Sequence, residues 1–218
     1  MWDAVHADPY PTTDAPPATP LTATSRQWLM LGDAIVRLRT DDDLAGCVRA
    51  LEGVHRLDGY PAWWPADPAG WLSPSGCAAA WVADDEVTGS ILGHVCVVRG
   101  LDDPMVASLT GVSTNRLASV SRLFVSPVAR GRGLRLGTFL LAAVSSWTSV
   151  HDLQLMLDVV DDGAPAMKLY ERLGWRLVDR RQADWVSPQG ERLPVCIYVA
   201  PRTRRTSAPQ RRTAPGQL

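Results

Sequence analysis

Lysine is nearly missing from this chain: Lys168 is the only one among 22 basic residues, and 19 of the 23 acids are aspartate. Neither bias points to a function. More informative is the lack of net charge, −1 over 218 residues. Broad nucleic-acid binding needs a basic face that displaces counterions, so a nucleic-acid partner is not expected. No apolar run reaches the ~18–20 residues of a membrane span, and the first residues show neither the basic nor the apolar region of a secretory leader. Cysteine is scarce and scattered: Cys47, Cys77, Cys96 and Cys196 form no C-x-x-C pair. That spacing predicts buried thiols in a reducing cytoplasm and excludes a disulfide frame or a zinc site. With 46% hydrophobic and 21% charged residues, the composition is that of a globular domain.

Apolar periodicity is confined to the middle of the chain. Residues 1–26 hold five prolines with Thr and Ala, and residues 201–218 hold five Arg, three Pro and no acid. Neither stretch can bury enough apolar area to offset its ordering entropy, so both are expected to be disordered tails around one domain at 27–200. Within it, 35–39 alternates like a strand. Thr40 then caps a helix whose first turn carries Asp41, Asp42 and Asp43, and Gly59 stops that helix. A loop at 60–74 holds four prolines with Tyr60, Trp63, Trp64 and Trp71. Residues 79–83 and 90–99 predict a hairpin, and 119–125 a strand ended by Pro127. A helix follows with Leu136, Leu140, Ala143, Val144 and Trp147 on one stripe. A period-2 strand at 153–159, a short helix at 164–173 capped by Gly174, and strands at 175–178 and 195–200 complete the pattern. The order β-α-β-β-β-α-β-α-β-β predicts an α/β (α+β) fold with a mixed sheet of six to seven strands flanked by helices.

The densest chemistry lies in Val125-Ser126-Pro127-Val128-Ala129-Arg130-Gly131-Arg132-Gly133-Leu134-Arg135. A strand runs into a glycine turn that opens a helix, so unpaired N–H groups and the positive end of the helix dipole meet there. That is a site for a diphosphate, with Arg130, Arg132 and Arg135 adding charge. A glycine turn with solvated arginines is the plainer alternative. A Walker loop would need Gly-Lys-Ser/Thr, and a dinucleotide fold would place its glycines after the first strand rather than the fourth.

V-x-P-x-x-R-G-x-G from Val125 to Gly133 resembles the diphosphate loop of the GNAT superfamily of acetyl-CoA-dependent N-acetyltransferases. Ala166-Met167-Lys168-Leu169-Tyr170-Glu171-Arg172-Leu173-Gly174-Trp175 is similar to that family's A-x-x-L-Y-E-x-L-G-F/W signature, in the same order and one strand later. Two positions depart from the pattern. Arg135 stands where Gly or Ala is usual, although a register shifted to end at Gly137 keeps a final glycine. Gly163 replaces a common Asn, a contact that Asp161 or Asp162 could supply.

The resemblance implies acetyl-CoA as co-substrate, no metal, and a homodimer as the family's common habit. It places the donor on the backbone of Leu123, Phe124 and Val125 and on the loop Arg130, Gly131, Arg132, Gly133, Leu134 and Arg135. The Val125 amide would then polarise the thioester carbonyl. Tyr170 falls at the family's general-acid position; a core aromatic on an amphipathic helix is the alternative. The Glu that many relatives carry before this strand is missing from Ala118-Ser119-Val120-Ser121, so His94 and Asp158 are the candidate bases, each with a structural role as its alternative. Tyr60, Trp63 and Trp64, together with Trp71, would wall the acceptor. The expected activity is transfer of acetyl to a primary amine of a small molecule by direct attack. A non-catalytic acyl-CoA-binding module and a protein or peptide acetyltransferase are the rival readings.

Overall fold

The computed structural model describes residues 29–31, 33–161, 165–187 and 190–202. Most of both expected tails, and Asp162 and Gly163, lie outside these residues. Eight strands form one mixed sheet in the order β1-β2-β3-β4-β5-β6-β8-β7. They are β1 (Leu29–Leu31), β2 (Ala34–Leu38), β3 (Cys77–Asp85), β4 (Ile91–Val98), β5 (Leu117–Val125), β6 (Gln154–Val160), β7 (Arg176–Gln182) and β8 (Pro194–Val199). The helices are α1 (Leu44–Asp58), α2 (Pro68–Trp71), α3 (Pro104–Thr110), α4 (Leu136–Val150) and α5 (Pro165–Arg172). The eighth strand beyond expectation is the three-residue β1 on the edge.

Period-2 alternation sorts each strand between two cores. On one face, Val36, Trp81, Val95, Val97, Val120, Leu155 and Leu157 pack against Leu136, Leu140, Leu141 and Val144 of α4. Those α4 residues recur at helical spacing, which puts one stripe on the sheet. On the other face, Cys47, Leu51 and Val54 of α1 cover Val82, Ile91 and Phe124. Farther along that face, Val106 and Ala107 of α3 cover Leu117, Met156 and Ile197.

The first helix begins later than Thr40 suggests. Asp41–Asp43 form a separate 3-10 turn. The Asp43 carboxylate accepts from the Thr40 N–H at 2.7 Å and from Arg37 Nη1 and Nη2 at 2.7 and 2.8 Å. Arg37 holds the Asp43 carboxyl down at about 2, so this acid is a half-buried tie to β2 rather than part of a solvated helix start. Two elements carry weaker signals. Helix α3 is short, but Asp103 caps it by accepting from the Val106 N–H at 2.9 Å, Pro104 fills its first position and Gly111 ends it at φ 67°, an N-terminal Pro and C-terminal Gly pattern. Strand β7 runs four residues past the expected end at Val178 because, as the sheet edge, it tolerates Asp179, Arg180 and Arg181.

Candidate active site

Every neighbouring pair of strands is antiparallel except β5 and β6, and these two part early. Their parallel ladder pairs only Leu117 with Gln154, Ala118 with Leu155 and Ser119 with Met156. Beyond Ser119, β5 stays paired with β4 as far as Val125 opposite Gly93, while β6 follows β8 out to Val160. A cleft therefore opens inside the sheet, lined on one side by unpaired β5 backbone.

Which groups face the cleft follows from ladder parity. The Ser126 N–H donates to the Leu92 carbonyl at 2.8 Å, and Phe124 lies opposite His94. Val125 between them turns its amide away from β4, toward β6. Its carbonyl confirms the direction: it accepts from Arg130 Nε at 3.1 Å and Nη2 at 2.9 Å. The bend that aims this backbone is a β-bulge in which Arg122 and Leu123 of β5 oppose Val95 alone. Arg122 sits at φ 54°, a left-handed conformation that L residues reach at a cost of order 1–3 kcal/mol. Three contacts hold it there. Its carbonyl is bound by His94 Nδ1 at 3.0 Å, its Nε donates to the Trp71 carbonyl at 3.0 Å, and its guanidinium lies 4.1 Å above the Trp71 ring.

Beyond Val125 the chain makes a 3-10 turn at Pro127–Ala129 and enters the glycine loop. Gly131 and Gly133 take φ 73° and 72°, and a Cβ on either would meet nothing within 4 Å. Their requirement is thus conformational, and the space over their amides is open. Arg135 also takes a left-handed φ of 51° immediately before α4. Gly137 differs: a Cβ there would come 3.2 Å from Leu169 Cδ2 and 3.9 Å from Val125 Cγ2, so this glycine lets α4 approach α5. Leu123 and Leu134 pack against the core beneath the loop. Two of the three loop arginines are engaged with acids. Arg130 holds Asp58 bidentately at 2.8 and 2.5 Å, and Arg132 lies 3.6 Å from Asp85. The open backbone amides and helix N-terminus fit a diphosphate, with Arg130 as a brace for the strand end.

Tyr170 on α5 is buried in the main core, with its ring 5.7 Å from Trp175 and 5.9 Å from Tyr198. Burial pushes its phenol well above the usual value, and the nearby Tyr60 and Asp158 act in the same direction. It is therefore a protonated donor throughout the neutral range. His94, the other candidate for proton transfer, is completely buried. Arg39 Nη1 stands 3.0 Å from its Nε2, and a guanidinium can only donate, so Nε2 must accept and Nδ1 carries the proton given to Arg122. Burial lowers His94 to about 4. Its lone pair is occupied, and its work is to hold the bulge.

The 60–74 loop is fastened over this face. Arg39 donates to the Leu72 carbonyl and to Ser73 Oγ, both at 2.7 Å, and Arg122 takes Trp71 as described. The Tyr60 ring lies 5.9 Å from Trp71; its phenol is raised to about 12 by desolvation and senses Arg122 and Asp158. Trp63 meets Trp185 edge-on at 5.9 Å. The Trp185 indole Nε1 donates to Asp158 Oδ2 at 3.5 Å. Trp64 instead turns outward, 37% exposed and 5.4 Å from His55. Tyr60, Trp63, Tyr170 and Asp158 thus converge on the cleft, and Trp64 and His94 stand apart from it. Trp185 and Arg122 carried no sequence signal: one lies in an irregular β7–β8 loop, and the other is a strand arginine whose role depends on a bulge. Of the two residues considered in place of Gly163, Asp161 lies 3.4 Å from Arg180 Nε. Among the described residues no group of three or more His, Cys, Asp or Glu is placed to hold a metal ion, and no helix is long and apolar enough to cross a membrane.

A model of the acetyltransferase (GNAT) family matches residues 2–175. Among curated proteins none matches the chain in sequence. Solved structures share its fold. Arabidopsis thaliana NAA60 in complex with acetyl-CoA superposes with a TM-score of 0.59 at 20% identity, over 76% of this chain and 97% of that one. The ribosomal-protein-S18-alanine N-acetyltransferase from Escherichia coli gives 0.55 at 18% identity, over 77% and 93%. A GCN5-related N-acetyltransferase from Kribbella flavida gives 0.55 at 22% identity, over 78% and 98%.

Proposed function

The chain belongs to the acetyltransferase (GNAT) family, with acetyl-CoA as the family's donor, and from that premise we propose that it acetylates the primary amine of a small molecule. The observation that carries the reading is the cleft beyond Ser119 and Met156, where the Val125 amide, the Tyr170 phenol and the Asp158 carboxylate converge. The amides of the Arg130–Arg135 loop and the first turn of α4 would hold the diphosphate. Leu123, Phe124 and Val125 would receive the arm that follows it. Acetyl-CoA supplies a thioester with a carbonyl carbon open to attack.

Each side chain then has one task. The Val125 N–H donates to the carbonyl oxygen as negative charge develops on it, from a position fixed before reaction begins. An acceptor ammonium is about 99.9% protonated at neutral pH and releases one proton before its nitrogen attacks. As the C–N bond forms and the C–S bond breaks, Tyr170 gives its proton to the departing sulfur and regains one from the nitrogen. The products are an acetamide, free coenzyme A and one proton.

With the Nε2 lone pair of His94 accepting from Arg39, the acceptor's proton goes to solvent or through Asp158. The contact of Trp63 with Trp185 roofs the cleft beside Asp158 and supports a small acceptor over a residue on a folded protein surface. One of the structurally similar proteins carries a ribosomal-protein alanine in its name, so a free chain end is the rival acceptor. Release of free thiol from acetyl-CoA, with the mass of the acetylated product, tests the reading on a panel of small amines and short peptides. Turnover on small amines supports it, and turnover on peptides alone refutes it. Donor binding without turnover on any amine would mark a non-catalytic acyl-CoA-binding module.

A further inference from the structure

Asp158 is an exposed carboxylate on β6 with no cationic partner among the described residues. Its one contact among the described residues is a long hydrogen bond from the Trp185 indole Nε1, 3.5 Å from Oδ2. Trp185 in turn meets Trp63 at 5.9 Å, and Tyr60, on the same 60–74 loop as Trp63, lies 5.9 Å from Trp71. A carboxylate with no cationic partner at the edge of an indole pair is a site for an organic cation, because the acid supplies Coulomb attraction and the rings supply apolar contact. Across the cleft, the Arg122 guanidinium lies on Trp71, where a second positive charge on the ligand would be repelled.

We propose that the acceptor is a monocationic aryl-alkyl amine, with Asp158 taking the ammonium and Trp63, Trp185 and Tyr60 enclosing its ring. This rests on the amine-acetylation reading above and adds the acceptor's chemical class. Asp158 and Trp185 are then specificity-determining residues: the first selects charge, the second shape. A polyamine places extra charge against Arg122, and a short alkylamine leaves the aromatic walls uncovered.

Calorimetry on the full chain saturated with coenzyme A tests this without turnover. The probes are 2-phenylethylamine, propylamine with the same charge and no ring, and spermidine with additional charges. Covering the aromatic ring is expected to make 2-phenylethylamine bind about tenfold tighter than either. Asp158→Asn should weaken it about tenfold, and Trp185→Ala should weaken it while leaving propylamine unchanged. Coenzyme A affinity reports that both variants remain folded. A preference under threefold, or an Asp158→Asn effect under threefold, overturns the inference. Failure of the underlying reading looks different: the aryl amine binds as described, yet no amine releases thiol from acetyl-CoA.

Discussion

Replacing Tyr170 by Phe isolates the proton donor from the packing around it. The ring contacts at 5.7 Å to Trp175 and 5.9 Å to Tyr198 survive, so stability should change by less than about 1 kcal/mol. Only the proton is lost. Burial keeps that phenol protonated far above neutral pH, so the wild-type donor is in its active form at every assay pH. A positioned general acid is worth roughly 10²–10⁴-fold, and the variant should lose kcat by that factor with its acetyl-CoA dissociation constant unchanged. The pH profile gives an independent readout. His94 is held neutral with its lone pair occupied, so kcat/KM should climb about tenfold per pH unit from 6.5 to 8.5, following deprotonation of the amine. Steady-state thiol release and calorimetry measure both quantities. Retention of kcat within threefold in Tyr170→Phe would show that the sulfur is protonated by another group. A plateau near pH 6.5 would show that a histidine does act as base.

The brace between the loop and α1 makes a second prediction. Arg130 and Asp58 have side chains 40% and 34% exposed, so their coupling in a double-mutant cycle should stay below about 1 kcal/mol by urea unfolding. Arg130→Gln should cost more than Asp58→Asn, because it also vacates the Val125 carbonyl; equal costs would contradict that role. His94 predicts a stability window. Its native value is about 4 against an ordinary 6.5, so the unfolded chain binds the extra proton between those pH values. Stability should therefore fall as pH drops from 6.5 to 4, by up to about 3 kcal/mol, and His94→Gln should flatten that slope in denaturant titrations. Cys77 is lowered to about 7 by a hydrogen bond with the Cys96 thiol, which is pushed up in return, while burial raises Cys47 to about 12. Iodoacetamide at pH 7.5 should label Cys77 first in the folded protein, by peptide mass mapping; labelling led by Cys47 or Cys96 would refute the assignment.

The parts of the fold visible in the sequence were those with a repeating physical demand. The period-2 run around Leu153–Val159 and the α4 stripe had to bury one face each, and the glycines at 131 and 133 had to permit positive φ. The last four residues of strand β7 hid behind their charged side chains because an edge has no second face to bury, and α3 hid because seven residues are too few for periodicity. At the site, the loop, the Val125 backbone and Tyr170 were legible as motifs. Asp158 stands out in sequence as a polar strand residue and candidate base, but its place beside Trp185 depends on a contact between β6 and the β7–β8 loop. The motif presents Arg130 as a charge for the phosphates, and in the structure its guanidinium holds Asp58 and the Val125 carbonyl. The pairing of Trp63 with Trp185 joins loops more than 120 residues apart, which no local pattern encodes.

A crystal structure of the protein grown with acetyl-CoA tests the central claim most directly. The thioester should lie in the opening between β5 and β6, with its carbonyl oxygen within hydrogen-bond distance of the Val125 nitrogen and its sulfur beside the Tyr170 hydroxyl. The diphosphate should lie over Gly131 and Gly133. Density for the cofactor anywhere else, or a thioester facing away from Val125, would contradict the account.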